Sequence, residues 1–275
     1  MPRVLVRSLD DPRLDPFRRL PERRDSRATG YVIAESGWVV ERLLASRLEV
    51  ASVLVSPRLV DRIEPLVPPG VPLLVLADDA MRQVVGYQFH RGVLACARRP
   101  APVLLEDVLP AAPARLTVLA CPVVVDPENV GGLLRAAAAF RADAVLLGPR
   151  CPDPYSRRVL RVSMAAVLRV PLVESFDPEV DLARLRDEWD ATLVATVAGA
   201  AAGAVPLPAA SRPDRLVVLL GSEGHGLEPR WLDLCDRRVT IPTSDRVDSL
   251  NVATAAAICL YHYNCAAAAL TPPRG

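Results

Sequence analysis

Three stretches of the sequence carry more polar and glycine residues than a buried sheet needs, and each follows the C-terminal end of an expected strand. Open α/β sheets place their ligands at that end. The first, VVVDPENVGGLLRAAAAF, puts Asp126 to Asn129 at the start of a helix, Gly131 and Gly132 in its first turn and Arg135 one turn further on. Taken alone, Asn129 reads as an ordinary helix cap and Arg135 as a solvated residue. The second, LVVLLGSEGHGL, is a strand emptying into Gly221, Ser222, Glu223, Gly224, His225 and Gly226. Three glycines in six residues let the backbone approach a ligand and offer it N–H groups. The spacing is neither a Walker loop nor G-x-G-x-x-G, and a simple connector stays open. His225 suggests acid–base work, but no partner pattern accompanies it. In the third, VTIPTSDRVDSLNVATAAAICLY, Pro242 ends a strand and Ser249-Leu250-Asn251 opens an alanine-rich helix. That helix has small side chains for close packing, against the core or a second subunit, and Ser249 or Asn251 serves equally well as a plain cap.

The elements that must position these residues alternate. From Gly30, YVIAE, ASVLVS and VPLLVLA read as strands and VVERLLAS and PRLVDRIEPLV as helices, which predicts a small α/β domain over residues 30–100. Residues 1–29, rich in Arg, Asp and Pro, read as an arm or irregular cap. Four prolines in RRPAPVLLEDVLPAAPARL mark a linker over 101–115. A second domain over 116–270 follows, with strands LTVLAC, ADAVLLG, VPLVES, ATLVATV, RLVVLLG and RRVTIP between helical segments, the pattern of a mainly parallel sheet buried on both faces.

Composition bounds the function. The 275 residues, 51% hydrophobic and 24% charged, describe a chain able to bury a proper core. Thirty-three basic residues, all arginine, against 32 acidic ones give a net charge of +1, so a polyanion surface has to be a local patch. The six cysteines show no C-x-x-C spacing, which argues against a zinc site or a disulfide framework and for buried thiols in a reducing cytoplasm. The first twenty residues lack the apolar run of a secretory signal, so the mature chain is expected to begin at or near Met1. Leu193 to Ala210 carries no charge, but its Ala, Gly, Pro206 and Pro208 favour a strand and loop over a membrane span.

In this order and with these gaps, the three segments resemble the signature motifs of the SpoU (TrmH-like) branch of the SPOUT RNA ribose 2′-O-methyltransferases. The residues that carry the resemblance are Asn129, Gly131 and Arg135; Gly221, Glu223 and Gly226; and Ile241, Pro242, Ser249, Leu250, Asn251 and Val252. Arg161-Val-Ser163-Met is similar to an intermediate Arg-Ala-Ser stretch, and the likeness spans Leu116 to Ala268. Residues 30–99, ending in His90 to Ala95, are similar to the small ribosomal-protein-like domain that many such enzymes use for substrate RNA. The chain departs from the pattern at Ser222, where Asn is common, at Arg141, where Gly usually follows the Phe, and at Thr243 and Asp245 after Ile-Pro.

The resemblance implies an α/β chain with a C-terminal SPOUT trefoil-knot domain and a small N-terminal α/β RNA-binding domain. It implies transfer of a methyl group from S-adenosylmethionine to a ribose 2′-hydroxyl of rRNA or tRNA, in a cytoplasmic homodimer that uses neither metal nor membrane. Thr196, Val197, Gly199, Gly221, Glu223, Gly226, Ile241, Pro242, Leu250 and Asn251 are the residues it implies for the cofactor. Asn129, Arg135, Glu223, Ser249 and Asn251 are those it implies for catalysis. Arginine stays protonated in proteins, so Arg135 suits a phosphate anchor better than a literal base. The N-terminal thirty residues with Arg150, Arg157, Arg158 and Arg161 are the expected basic track for RNA. A non-catalytic RNA-binding or ribosome-assembly protein is the competing reading, opposed by the intact Asn129, Arg135, Glu223, Ser249 and Asn251. A dinucleotide oxidoreductase lacks the early glycine motif it requires.

Overall fold

The computed structural model describes residues 3–20, 25–199, 203–222, 224 and 226–265. The chain divides into two compact units, Met1–Ala101 with Asp153–Arg169, and Pro102–Pro152 with Val170–Gly275.

Along the first unit run β1 (Arg3–Leu5), α1 (Ser26–Thr29), β2 (Tyr31–Glu35), α2 (Gly37–Leu44), β3 (Val50–Val55), α3 (Val60–Ile63), β4 (Leu73–Val75), α4 (Asp78–Val85) and β5 (Val93–Arg98). Its sheet has the order β1-β4-β3-β5-β2, parallel from β1 to β3 and antiparallel through β5. The opening residues are built into it. Arg3–Leu5 pairs with Leu73–Val75 as an edge strand, and Leu14, Phe17 and Leu20, spaced three apart, are buried in the core beside Met81 and Phe89. The Pro and Arg content that suggests an arm conceals this apolar spacing, because the segment forms a short 3-10 turn over Pro12–Phe17 and not a helix with a readable period.

The second unit begins with α5 (Leu105–Val108), β6 (Leu116–Cys121), α6 (Pro127–Ala139) and β7 (Ala144–Leu147). Leu105 and Leu109 are buried in its core, so part of the expected linker is structural. The chain then contributes α7 (Arg157–Val162) to the first unit. There Asp153, 6% exposed, accepts a 2.7 Å hydrogen bond from the Ser26 N–H and lies 3.7 Å from the Arg99 guanidinium. Back in the second unit follow β8 (Leu172–Glu174), α8 (Pro178–Asp187), β9 (Thr192–Val197), β10 (Val205–Pro206), β11 (Arg215–Leu219), α9 (Pro229–Leu234), β12 (Arg237–Thr240) and α10 (Val252–Asn264). Among the described residues, no helix is long and apolar enough to cross a membrane.

All seven strands of this sheet are parallel, in the order β10-β12-β9-β11-β6-β7-β8. Every residue of β6 and β7 is buried, which is why LTVLAC and AVLL read as unbroken apolar runs. β11 enters between β6 and β9, and after β12 the last helix among the described residues, α10, packs on α6.

Two details of α6 follow from its sequence. Asp126, not Asn129, is its N-cap; the carboxylate accepts from the Glu128 N–H at 2.9 Å, with Pro127 in the first position. At the other end, Ala142 N–H bonds to the Ala137 carbonyl at 2.9 Å while Arg141 takes the left-handed backbone, φ 57°. That is a Schellman closure, and glycine is the residue it favours. Between the ends, a Cβ built on Gly132 would sit 2.6 Å from the Ala253 Cβ, so α6 and α10 approach more closely than two side chains allow.

These features predict opposite outcomes for two substitutions. Arg141→Gly relieves the left-handed strain and raises the unfolding free energy by about 1 kcal/mol. Gly132→Ala forces the helices apart and lowers it by about 1–3 kcal/mol. Urea titration of the purified variants reads both.

Candidate active site

Because the sheet is parallel, the C-terminal ends of β9, β11 and β12 all open on the same side, and a cleft of about 510 Å³ lies there. Thr196 and Val197 come from the end of β9, Leu220 and Gly221 follow β11, Ile241 follows β12, and Val252 and Ala255 lie on the first turn of α10.

Each loop is fixed by backbone chemistry. After β11, Ser222 and Gly226 exchange both backbone hydrogen bonds, 3.0 Å each, closing a tight loop with Gly226 left-handed at φ 67°. A Cβ on Gly221 would lie 2.0 Å from the Gly226 carbonyl carbon and 2.2 Å from the Leu227 nitrogen, so no other residue fits under this closure. After β9, the Gly199 carbonyl accepts a 2.9 Å hydrogen bond from the Thr240 hydroxyl, which ties the loop to the end of β12. The Thr196 hydroxyl lies 3.7 Å from the Cys259 sulfur. Burial pushes that thiol up to about 11, so it is protonated at neutral pH and serves as a packing group beside the cleft.

The start of α10 is held by one side chain. The Asn251 carboxamide oxygen accepts from the Ala253 and Thr254 N–H groups at 2.9 and 3.2 Å. That use fixes the amide orientation and turns its Nδ2 toward Asn129, whose Oδ1 accepts at 2.7 Å. Asn251 is therefore a cap, and the same amide links the first and third sequence segments. Asn129 is buried at 8% exposure in the first turn of α6.

Of the residues the sequence nominates for a cofactor, Thr196, Val197, Gly199, Gly221, Gly226, Ile241 and Leu250 line the cleft, whereas Pro242 and Asn251 do not. Ser249 lines it as well. Glu223 and His225 lie outside the described residues. Arg135 is exposed on α6, makes no side-chain hydrogen bond or ion pair among the described residues, and is not part of the cleft wall. Arg150, expected in a basic track, donates at 2.7 Å to Glu228, and this hydrogen bond holds the Glu228 carboxyl below its ordinary value.

Sequence reasoning missed Leu220, Leu227, Leu232, Asp248, Val252 and Ala255 as lining residues. Val252 and Ala255, three apart on α10, were open to a helical-period argument from the Asn251 cap. The leucines look like ordinary core residues. An apolar wall interrupted by a few polar groups, with a volume inside the roughly 300–1,000 Å³ of small-molecule sites, suits a small organic ligand.

The model of the SpoU rRNA Methylase family matches residues 117–261. The chain is 42% identical over 258 residues to an uncharacterized tRNA/rRNA methyltransferase of Mycobacterium bovis, covering 92% of this chain and 88% of that one. It is 27% identical to the 23S rRNA (guanosine(2553)-2′-O)-methyltransferase RlmP of Bacillus subtilis, over 94% and 98% of the respective chains. The AdoMet-bound rRNA methyltransferase from Sinorhizobium meliloti matches with a TM-score of 0.79 at 25% identity, over 94% of this chain and 96% of that one.

The Gly221 geometry predicts that Gly221→Ala weakens S-adenosylmethionine binding by about tenfold or more, the penalty of overpacking against backbone. Calorimetric titration, with far-UV circular dichroism as the check on folding, measures it. An affinity equal to that of the unsubstituted protein contradicts the assignment of this loop to the ligand.

Proposed function

The chain belongs to the SpoU rRNA Methylase family, and we propose from that membership and from the cleft how its residues divide the work. The protein is an S-adenosylmethionine-dependent RNA methyltransferase that methylates a ribose 2′-hydroxyl in rRNA or tRNA. Its fold is the α/β SPOUT architecture, a C-terminal domain with a parallel sheet and a small N-terminal α/β domain. The observation that carries the reading is the meeting of Thr196, Gly221, Ile241 and Leu250, from four separate segments, in one cleft at the C-terminal end of that sheet.

When bound, S-adenosylmethionine supplies a methyl group on a positively charged sulfonium, an electrophile for an in-line displacement. The segments Thr196 to Gly199, Gly221 to Gly226 and Ile241 to Leu250 hold the cofactor, chiefly through backbone groups, with Glu223 and Pro242 belonging to the same loops. Ser249, in the cleft wall, orients the incoming ribose hydroxyl. Asn129 and Asn251 set the position of Ser249 by fixing where α10 begins. Arg135, always protonated, anchors the phosphate next to the target ribose and keeps the hydroxyl in line.

Arg135 is outside the cleft of its own chain, so this role calls for a homodimer in which α6 of one subunit delivers the guanidinium to the cleft of the other. The first unit takes up the body of the RNA substrate, and the enzyme works in the cytoplasm, where such RNAs are made.

Two measurements test the assignment. Radiolabelled methyl transfer to rRNA and tRNA pools should place label on ribose 2′-oxygens, and Arg135→Ala should lower that rate by about 100-fold or more while cofactor affinity is retained. At S-adenosylmethionine concentrations too low to fill the weakened Gly221→Ala pocket, mixing Arg135→Ala subunits with Gly221→Ala subunits should raise activity above that of either variant alone, because hybrid dimers contain one intact site. No recovery in verified hybrids contradicts the shared site.

A further inference from the structure

The end of the second unit's sheet that carries the cleft has three further loops, those after β6, β7 and β8. Each leaves an apolar residue in solvent: Val125 (63% exposed) after β6, Pro149 after β7 and Phe176 (82% exposed) after β8, with Val180 exposed in the first turn of α8. β6 lies next to β11, and Leu220 and Gly221 at the end of β11 belong to the cleft wall, so these residues follow one another outward from the cleft. At the usual strand spacing of about 4.8 Å, the loop bearing Phe176 lies three strands, or about 14 Å, from the end of β11. A single exposed apolar side chain is ordinary on a protein surface. A succession of them on adjacent loops, continuous with a ligand cleft, marks a contact surface.

The backbone beneath this row is fixed. A Cβ on Gly148 would lie 2.1 Å from the Pro122 carbonyl oxygen, so the loops after β6 and β7 meet backbone to backbone, and the Gly148 N–H bonds to the Cys121 carbonyl at 3.0 Å. The Ser175 N–H ties the loop after β8 to the Leu147 carbonyl at 2.8 Å. On one side of Phe176, the buried Ser175 hydroxyl donates to the Asp181 carboxylate at 2.5 Å. On the other, the Asp177 carboxylate caps α8, accepting from the Glu179 and Val180 N–H groups at 3.2 and 3.3 Å. Phe176 is thus held between two anchored neighbours, while its ring has no aromatic or cationic partner among the described residues.

The cations beside the row are engaged. Arg150, next to Pro149, pairs with Glu228, and Arg230 pairs with Glu228 and with Glu179, the residue before Val180. What the row offers a ligand is therefore an apolar face, matched to a flat ring better than to a phosphate. The reaction supplies such rings. A ribose can enter the cleft only from a loop, bulge or end, or after its nucleotide is drawn out of a helix, and the neighbouring bases then lose stacking partners. An aromatic side chain replaces such a partner whatever the base, because every base has a π-face.

We propose, resting on the RNA methyltransferase reading, that the loops after β6, β7 and β8 form a ledge for the unpaired bases that flank the target nucleotide, with Phe176 as the ring on which one of them stacks. Val125 and Pro149 form the apolar floor between that ring and the cleft. The anchored backbone on either side of Phe176 makes the platform rigid before RNA arrives, so little ordering cost falls on binding. Phe176 is a positioning residue: it holds the strand beside the cleft and touches neither the reacting ribose nor the cofactor.

The test compares the unsubstituted protein with Phe176→Ala, Phe176→Leu and Phe176→Trp, using unmodified 16S and 23S rRNA transcripts and a tRNA transcript pool. The side chain is exposed, so the fold should survive; thermal melts check this, and Phe176→Leu serves if the alanine variant fails. Phe176→Ala and Phe176→Leu should bind RNA about tenfold more weakly and raise KM for RNA to match, with kcat at saturating RNA and S-adenosylmethionine affinity unchanged. Phe176→Trp should bind at least as well as the unsubstituted protein. Because no phosphate contact is lost, the slope of log affinity against log salt should stay the same in all four proteins. Unaltered RNA affinity in Phe176→Ala overturns the proposal, as does full affinity in Phe176→Leu, which has an apolar side chain but no ring. Sedimentation of each variant addresses the other occupant: weaker RNA binding that appears only with loss of a dimer assigns the ledge to a second copy of the chain and overturns the proposal too. If the unsubstituted protein labels no RNA while Phe176→Ala still binds it more weakly, the methyltransferase reading fails and the ledge stands.

Discussion

The separation of α6 and α10 is the constraint on which the rest of the site depends. Gly132 has no side chain where the Ala253 methyl arrives, and the Asn129 and Asn251 carboxamides close the gap with one hydrogen bond of 2.7 Å. Both helices belong to the second unit, one near its beginning and one at its described end. Fixing the distance between them fixes where α10 starts, and hence where Ser249, Leu250, Val252 and Ala255 stand relative to the loops after β9 and β11. A hydrogen bond of this kind contributes about 1 kcal/mol, so the pair also favours this arrangement over a looser one. Binding geometry at one end of the sheet is in this sense a by-product of helix packing on its face.

How much of this was legible in the sequence varies with the range of the interaction. The parallel sheet was, because strands buried on both faces are written as unbroken apolar runs such as LTVLAC. The three loops were, because polar and glycine residues after such runs have few other uses, and together they identified the family. Cap identity at α6 was not: Asp126 and Asn129 are both acceptable caps by type, and only the turn geometry assigns the role to Asp126. The Asn129–Asn251 bond was out of reach, since nothing local reports a contact between residues so far apart. Residues 3–20 were misjudged for a related reason. Their apolar residues are few and scattered in an Arg-rich stretch, and their burial depends on β4 and α4, which supply the other half of the core.

Charge shows the same limit. A chain with 33 arginines and a net charge of +1 gives no hint of which cations are available. In the folded protein Arg150 is paired with Glu228, Arg184 with Glu106 and Glu188, and Arg157 with Glu35. The exposed pairs, such as Arg150 with Glu228, contribute little to stability, but all of them remove arginines from the pool that can meet a polyanion. What remains is defined by tertiary neighbours, which helical spacing alone does not reveal.

The excursion of Asp153–Arg169 into the first unit bears on how the protein is made. Domains on a growing chain generally fold as units, the N-terminal one first. Here the N-terminal unit lacks α7 and the Asp153 carboxylate until β6, α6 and β7 of the second unit have already been synthesised. Until then the Ser26 N–H and the Arg99 guanidinium lack that acceptor, and Glu35 and Tyr87 lack Arg157. The smaller unit therefore cannot reach its final state before part of the larger one has been made, and its maturation is timed by the emergence of its neighbour's first strands.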